Sequence, residues 1–267
     1  MVRLACPEVL EPIKNALHIK FFKFFELYLQ ETYLGEHKYV VSAGSYPLFY
    51  FIKGDADTEE KKASTERFLT GFVPNDFDLW TNLDNCGKVV NGILEFARQN
   101  SDIEVGSFKI VGTFSKYKIN MGIQQILGIV NFSLQSRVTQ ESSLPIQVIC
   151  WRERHPQRTT NPLVLLESVL EQFDISVCKV GWKSGRDLEN ICCYSHVLND
   201  IRQRKFSLKF KRYENMELVQ SRVVKYLSRG FQLKQIVFPR GFALRDMDYH
   251  FTPDIRDVSD SDMDETS

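Results

Sequence analysis

The sequence carries no net charge: 34 Lys and Arg balance 34 Asp and Glu. Bulk charge therefore gives no pull toward nucleic acid or a membrane surface, and any such partner must be held by a local patch. There is no uninterrupted apolar run long enough to cross a bilayer. No signal peptide is visible, since Met1 to Cys6 leads directly into a charged amphipathic segment. A zinc framework is missing as well. The six cysteines are Cys6, Cys86, Cys150, Cys178, Cys192 and Cys193, and the adjacent pair is not a C-x-x-C hook. Cys150 and Cys178 sit in apolar runs and read as buried thiols acting as small hydrophobes. No internal repeat is apparent. These absences predict a reducing, intracellular setting without a membrane partner, with cytoplasm and nucleus not separated.

What is present is an ordinary globular composition. The 267 residues are 43% hydrophobic and 25% charged, which predicts a sizeable core in one large domain or two small ones. Residues 1–36 read as an N-terminal helix, with Leu10, Ile13, Leu17, Phe21, Phe24, Phe25 and Tyr28 at helical spacing. Tyr39-Val40-Val41 reads as a strand, followed by Gly44-Ser45 and an apolar helix with Pro47 in its first turn and Ser45 as its cap. Residues 54–74 are polar and read as a surface insertion with a short helix near Thr65 to Leu69. Further strands are expected at Asp76 to Trp80, Ser107 to Val111, Ile129 to Ser133, Ile146 to Trp151 and Phe173 to Trp182. Helices are expected at Gly87 to Gln99, Leu163 to Glu171, Tyr194 to Arg204 and Asn215 to Gly230.

One short stretch stands out, Asn75-Asp76-Phe77-Asp78-Leu79-Trp80. Side chains two apart in a strand share a face, so Asp76 and Asp78 point together while Phe77 and Leu79 point into packing. Two adjacent carboxylates repel unless a hydrogen-bond network or a bound cation holds them, and hard cations such as Mg²⁺ favour oxygen ligands. A capping pair at a strand end after Pro74-Asn75 is the plainer alternative. A second acid, Asp174, interrupts the apolar run Phe173-Asp174-Ile175-Ser176-Val177-Cys178; the alternative there is an edge-strand acid facing water. Arg222, Lys225 or Tyr226, and Arg229 recur at helical spacing as a basic and aromatic face, either solvated or set against phosphate. Lys205 to Arg212 alternates Phe206, Leu208 and Phe210 with Ser207, Lys209 and Lys211, as a lysine-protected edge strand or a groove for a polyanion. Residues 254–267 are acidic, nearly free of apolar side chains and expected to be disordered.

Taken in order, Ala43-Gly44-Ser45 after a strand, Asp76-Phe77-Asp78 on the next and Asp174 farther on resemble the nucleotidyltransferase superfamily, the fold shared by DNA polymerase beta and tRNA nucleotidyltransferases. Ile146-Gln147-Val148-Ile149 before Phe173-Asp174 and Cys178, and the later Arg222 to Phe231 helix, are most similar to the nucleotidyltransferase-like proteins of large DNA viruses and fungi. The gap from Ser45 to Asp76 is longer than that superfamily usually has, which makes 54–74 an insertion in a loop. The resemblance implies an α/β (α+β) fold, a mixed central sheet flanked by helices with a C-terminal helical segment. It implies a domain over residues 37–185, a basic region over 186–250 and the acidic tail over 251–267. It also implies a chemistry: Asp76, Asp78 and Asp174 as the catalytic and metal-holding acids, Mg²⁺ or Mn²⁺ as the ion, Gly44 and Ser45 at the phosphates of an NTP, and Arg222, Lys225 and Arg229 near phosphate or acceptor. The acceptor, whether RNA, protein or small molecule, is not implied. A catalytically silent scaffold binding protein or nucleic acid through the basic region is the second expectation, with the acidic tail masking that region.

Overall fold

The computed structural model describes residues 2–4, 16–25, 29, 40–54, 59–70, 72, 74, 76–111, 125–138, 143–152, 162–183, 191–210 and 216–238. The expected acidic tail, the basic loop 153–160 and residues 5–15 of the expected first helix lie outside them.

An eight-stranded mixed sheet forms the centre, in the order β1-β8-β7-β2-β3-β6-β5-β4. Its strands are β1 (Val2–Leu4), β2 (Val40–Ala43), β3 (Phe77–Asn82), β4 (Ile103–Val111), β5 (Gln125–Ser136), β6 (Ser143–Arg152), β7 (Val180–Lys183) and β8 (Ile191–Cys193). Only β3 and β6 run parallel; the other neighbours are antiparallel. The helices are α1 (Ala16–Lys23), α2 (Ser45–Gly54), α3 (Glu59–Thr70), α4 (Leu83–Gln99), α5 (Pro162–Glu171), α6 (Ser195–Arg202) and α7 (Met216–Ser228). This is the mixed α/β architecture that the sequence implied, with helices on both faces of the sheet.

Strand alternation decides what each face buries. Phe77 and Leu79 of β3 and Ile146 and Val148 of β6 enter one core with side chains of α1, α2 and α4. Trp80 and Ile149 enter another, under Leu165, Leu166, Val169 and Leu170 of α5. The aromatic segment at the end of α1 and just beyond it is buried on more than one side, because Phe21, Phe22, Phe24 and Phe25 are all in the first core. Phe21 meets Phe77 edge-on at 5.3 Å and Phe25 meets Trp182 edge-on at 5.8 Å. Such pairs add about 0.5–1.5 kcal/mol each beyond the area they bury. α5 lies tight on β7 because residue 181 is glycine; a Cβ there would collide with Leu166.

Several elements differ from the sequence expectation. Residues 59–70 form a three-turn helix, α3, rather than a short one, and its Phe68 packs edge-on against Phe231 at 5.3 Å. The polar segment is thus tied to the C-terminal part of the fold by Phe68 and Phe72, both packed on Phe231, and by Arg204, whose Nη2 donates to the Ser64 carbonyl at 3.2 Å. Phe173 to Trp182 is not one strand: Asp174 sits in a bend, Ser176–Cys178 is a 3₁₀ turn, and β7 starts only at Val180. Alternating apolar residues serve a buried turn as well as a strand, and here Ile175, Val177 and Cys178 are all buried. Lys205–Lys209 is a strand, β9, as expected, but it is paired in parallel with β10 (Gln232–Val237), which the sequence did not reveal. Cys150, read as a free thiol, is joined to Cys86 by a disulfide between β6 and α4. No described helix is long and apolar enough to cross a membrane.

Candidate functional site

β2 ends at Ala43, and Gly44 turns the chain into α2. Its amide donates to the Val180 carbonyl at 3.1 Å, and its own carbonyl accepts the first helical bond from Leu48 at 3.2 Å. Gly44, not Ser45, is therefore the capping residue, and Ser45 is buried in the first turn. The φ of Gly44 is +106°, a left-handed value that L side chains rarely adopt. A Cβ at this position would lie 3.5 Å from Oδ2 of Asp78 and 3.9 Å from the Phe173 ring. The turn and the Asp-x-Asp strand thus meet, and the contact has a backbone side without a side chain.

Asp76 stands just before β3 and Asp78 within it, on the face of Trp80, beyond the cover of α5. Both residues are half-buried. Oδ1 of Asp78 is enclosed and has no hydrogen-bond partner among the described residues. Burial pushes the Asp78 carboxyl well above the usual carboxylate range, the Asp76 charge pushes it further, and Lys225 pulls it back. The Asp76 charge also reaches Tyr46, whose phenol is raised first by burial and then by that carboxylate. Tyr46 is fixed in turn by a 2.8 Å hydrogen bond between its hydroxyl and Nδ1 of His18.

The basic face of α7 is turned toward these acids. Lys225 is the residue whose charge acts on Asp78. Nη1 of Arg222 donates to Oδ2 of Asp174 at 2.7 Å. Tyr226 is buried and hydrogen-bonded to Cys178, whose thiol is pushed up to about 12, mainly by burial. Arg229 is buried as well, its guanidinium 4.4 Å above the Phe72 ring and 5.2 Å from that of Tyr226. Arg222 and Lys225 therefore face carboxylates, while Arg229 packs inward as a cation on two aromatic rings.

Asp174 is almost fully buried, at 4% exposure, and both of its oxygens are used. Oδ1 accepts the Ile175 amide at 3.0 Å and Oδ2 accepts Arg222. The structure brings Gly44, Asp76, Asp78 and Lys225 together; it does not bring the Asp174 carboxylate into the same ligand set. Among the described residues no three His, Cys, Asp or Glu side chains converge as metal ligands. The donor chemistry at Asp76 and Asp78, two carboxylates with one enclosed and unpartnered oxygen, fits a single hard divalent cation such as Mg²⁺ or Mn²⁺. A second ion that needs Asp174 does not fit the side chains as they stand.

Phe173 was not legible beforehand: it closes the side of Gly44 and merely precedes the singled-out Asp174 in sequence. Tyr226, which the sequence places on the basic and aromatic helix face, lies within the reach of the Asp78 charge.

No protein-family model matches the sequence, and no curated protein is similar to it. Among solved structures, the complex structure of a CCA-adding enzyme with ATP is similar, at 10% sequence identity and a TM-score of 0.49. The match covers 82% of this chain and 40% of that one, so the chain spans less than half the length of this neighbour.

Proposed function

We propose that the chain is a metal-dependent nucleotidyltransferase, moving a nucleoside monophosphate from an NTP to a hydroxyl acceptor with release of pyrophosphate. The observation that carries this reading is the contact of the left-handed Gly44 turn with Asp78, whose Oδ1 is enclosed and unpartnered. An Asp-x-Asp strand against a glycine turn at a helix start is what triphosphate transfer needs: a cation site beside backbone that a phosphate can approach.

Asp76 and Asp78 would hold the ion, which when bound neutralises phosphate charge and lowers the pKa of an acceptor hydroxyl. Gly44 leaves room for the phosphates, and the N-terminus of α2 with Ser45 supplies donors to them. Lys225 and Arg222 provide positive charge on the opposite wall. Arg222 has a further part in this proposal. A triphosphate offers its guanidinium a bidentate anion in place of Asp174, and the released Asp174 carboxylate becomes available as the third acid. The neutral His18 behind Tyr46 holds the first turn of α2 in place.

The test is incubation with Mg²⁺ and α-labelled NTPs, following pyrophosphate release and label transfer, beside the Asp76→Ala and Asp78→Ala chains. Metal-dependent NTP binding in the wild type that both variants lose supports the reading. Absence of such binding in the wild type defeats it.

The engagement of Asp174 by Arg222 favours one second reading. With only two acids free, the chain would be a catalytically silent scaffold that binds protein or nucleic acid through its basic C-terminal region. Polyanion binding that survives Asp76→Ala and Asp78→Ala, with no pyrophosphate released, is the pattern this reading requires.

A further inference from the structure

β9 and β10 form a small parallel ribbon whose two faces differ. Phe206, Leu208 and Phe210 are buried, and Lys205, Ser207 and Lys209 face the other way. In the pairing, Leu233 lies opposite Phe206 and Gln235 opposite Ser207, so Lys234 is an extra residue between them. This bulge turns Lys234 away from the core, toward the side of Ser207; bulges commonly re-aim a side chain in this way. Nζ of Lys234 then reaches Oδ1 of the buried Asp200 at 2.8 Å. Oδ2 of Asp200 accepts from Oγ of Ser176 at 2.9 Å, and Oγ of Ser176 accepts the Ser207 amide at 2.9 Å. The result is a closed hydrogen-bonded floor made by residues of α6, the 3₁₀ turn, β9 and β10.

Above this floor is a cleft of about 230 Å³. Lys179, Lys209 and Lys234 line it from three different elements, against the two aspartates Asp174 and Asp200. Asp174 is already matched by Arg222 and Asp200 by Lys234. Three lysines against two aspartates make the lining positive on balance, and a positive cleft with low-dielectric walls concentrates anions. The volume lies below the roughly 300–1,000 Å³ that enclose a whole drug-sized molecule. Lysine stems and Val237 add apolar wall, which suits a carbon skeleton carrying the charge better than a bare ion.

The geometry points to this cleft as a phosphate-ester site that does not include the Asp76 and Asp78 carboxylates, although it shares Asp174 in its wall with the centre proposed above. Lys209 and Lys179 meet the phosphate, the bulged Lys234 holds the floor, and the ester is either a free sugar phosphate or one link of a nucleic-acid strand.

The test is calorimetric titration of the full chain at low salt with ribose 5-phosphate and, separately, with a short oligothymidylate. Binding of both probes marks a free phosphate ester as the ligand; binding of the oligonucleotide alone marks a strand. Lys209→Glu, at an exposed side chain, is expected to weaken binding by about tenfold or more and to flatten its salt dependence by about one phosphate contact. Lys179→Gln should weaken it in the same direction. Lys109→Glu, on the far edge strand β4, and Asp78→Asn should leave it unchanged. The proposal is overturned if neither probe binds, if both Lys209→Glu and Lys179→Gln bind as the wild type does, or if Lys109→Glu or Asp78→Asn weakens binding as much as Lys209→Glu.

Discussion

The guanidinium of Arg222 and the carboxylate of Asp174 are 2.7 Å apart, and the aspartate side chain is only 4% exposed while the arginine side chain is 43% exposed. The pair is asymmetric: one charge is buried and its counter-charge, Arg222, sits at the rim. Removing the arginine leaves a buried anion that keeps, among the described residues, the Ile175 amide as donor, whereas removing both charges leaves little to compensate.

Arg222→Met should therefore destabilise the fold by about 1–3 kcal/mol, less than the loss of a fully buried pair because one partner is solvated. Asp174→Asn in the same chain should recover part of that loss. Urea unfolding of the two single variants and the double variant measures the coupling. Additive losses would mean that the two side chains do not act as a pair.

Asp78 should cost stability at neutral pH. Its folded carboxyl is raised, first by burial and then by Asp76. Its contribution is thus complete below the unfolded value near 3.8 and is lost as pH rises through the folded value, because the unfolded state then releases its proton more readily. Asp78→Asn should be more stable than the wild type at pH 7, by on the order of 1–3 kcal/mol, and equal to it near pH 3. Mg²⁺ should raise the melting temperature of the wild type and not that of the variant. A stability gap that does not change with pH would remove the buried-charge explanation.

Gly44→Ala tests the turn. Its φ of +106° strains any L residue, and the new methyl would stand 3.5 Å from Oδ2 of Asp78, in ordinary contact. A loss of about 1–3 kcal/mol is expected on backbone grounds. NTP affinity should fall further than that of a surface variant of equal stability; retained affinity would take Gly44 out of the phosphate site.

The disulfide gives a covalent test of the packing of α4 on β6. Cys86 and Cys150 are separated by 64 residues in sequence and by 6.0 Å between Cα atoms. Closing a loop of that length stabilises by about 4 kcal/mol in the chain-entropy account. Peptide mapping without reductant should recover the two cysteines joined, and reduction should lower the melting temperature. Recovery of both as free thiols in the native chain would contradict the bond.

Much of the local structure was legible because it depends on period and on special residues. Val89, Ile93 and Phe96 recur on one face of α4, and the helix was expected at nearly its true length; what was missed was Asn82, whose side chain accepts the Asn85 amide and starts the helix four residues earlier. The strand β3 was readable from its alternation. β10 was not, because Gln232–Val237 is mostly exposed and gains its partner from β9, far back in the chain. The bend at Asp174 was hidden for a different reason: buried apolar residues alternate in a packed turn as they do in a strand, and period alone does not separate the two.

By itself, then, the chain order set Asp76 and Asp78 two apart at the start of β3, a glycine turn before α2 and a basic stripe along α7, since each follows from spacing within a few residues. Which acid meets which cation was decided only by the tertiary structure. Arg222 reaches Asp174 across 48 residues of sequence, while Arg229, about two turns farther along the same face and just past the end of α7, is drawn onto Phe72 and Tyr226. The physical reason is that a helical stripe specifies directions about its own axis, and only the packing of α7 beside β10 and the 3₁₀ turn assigns those directions to partners.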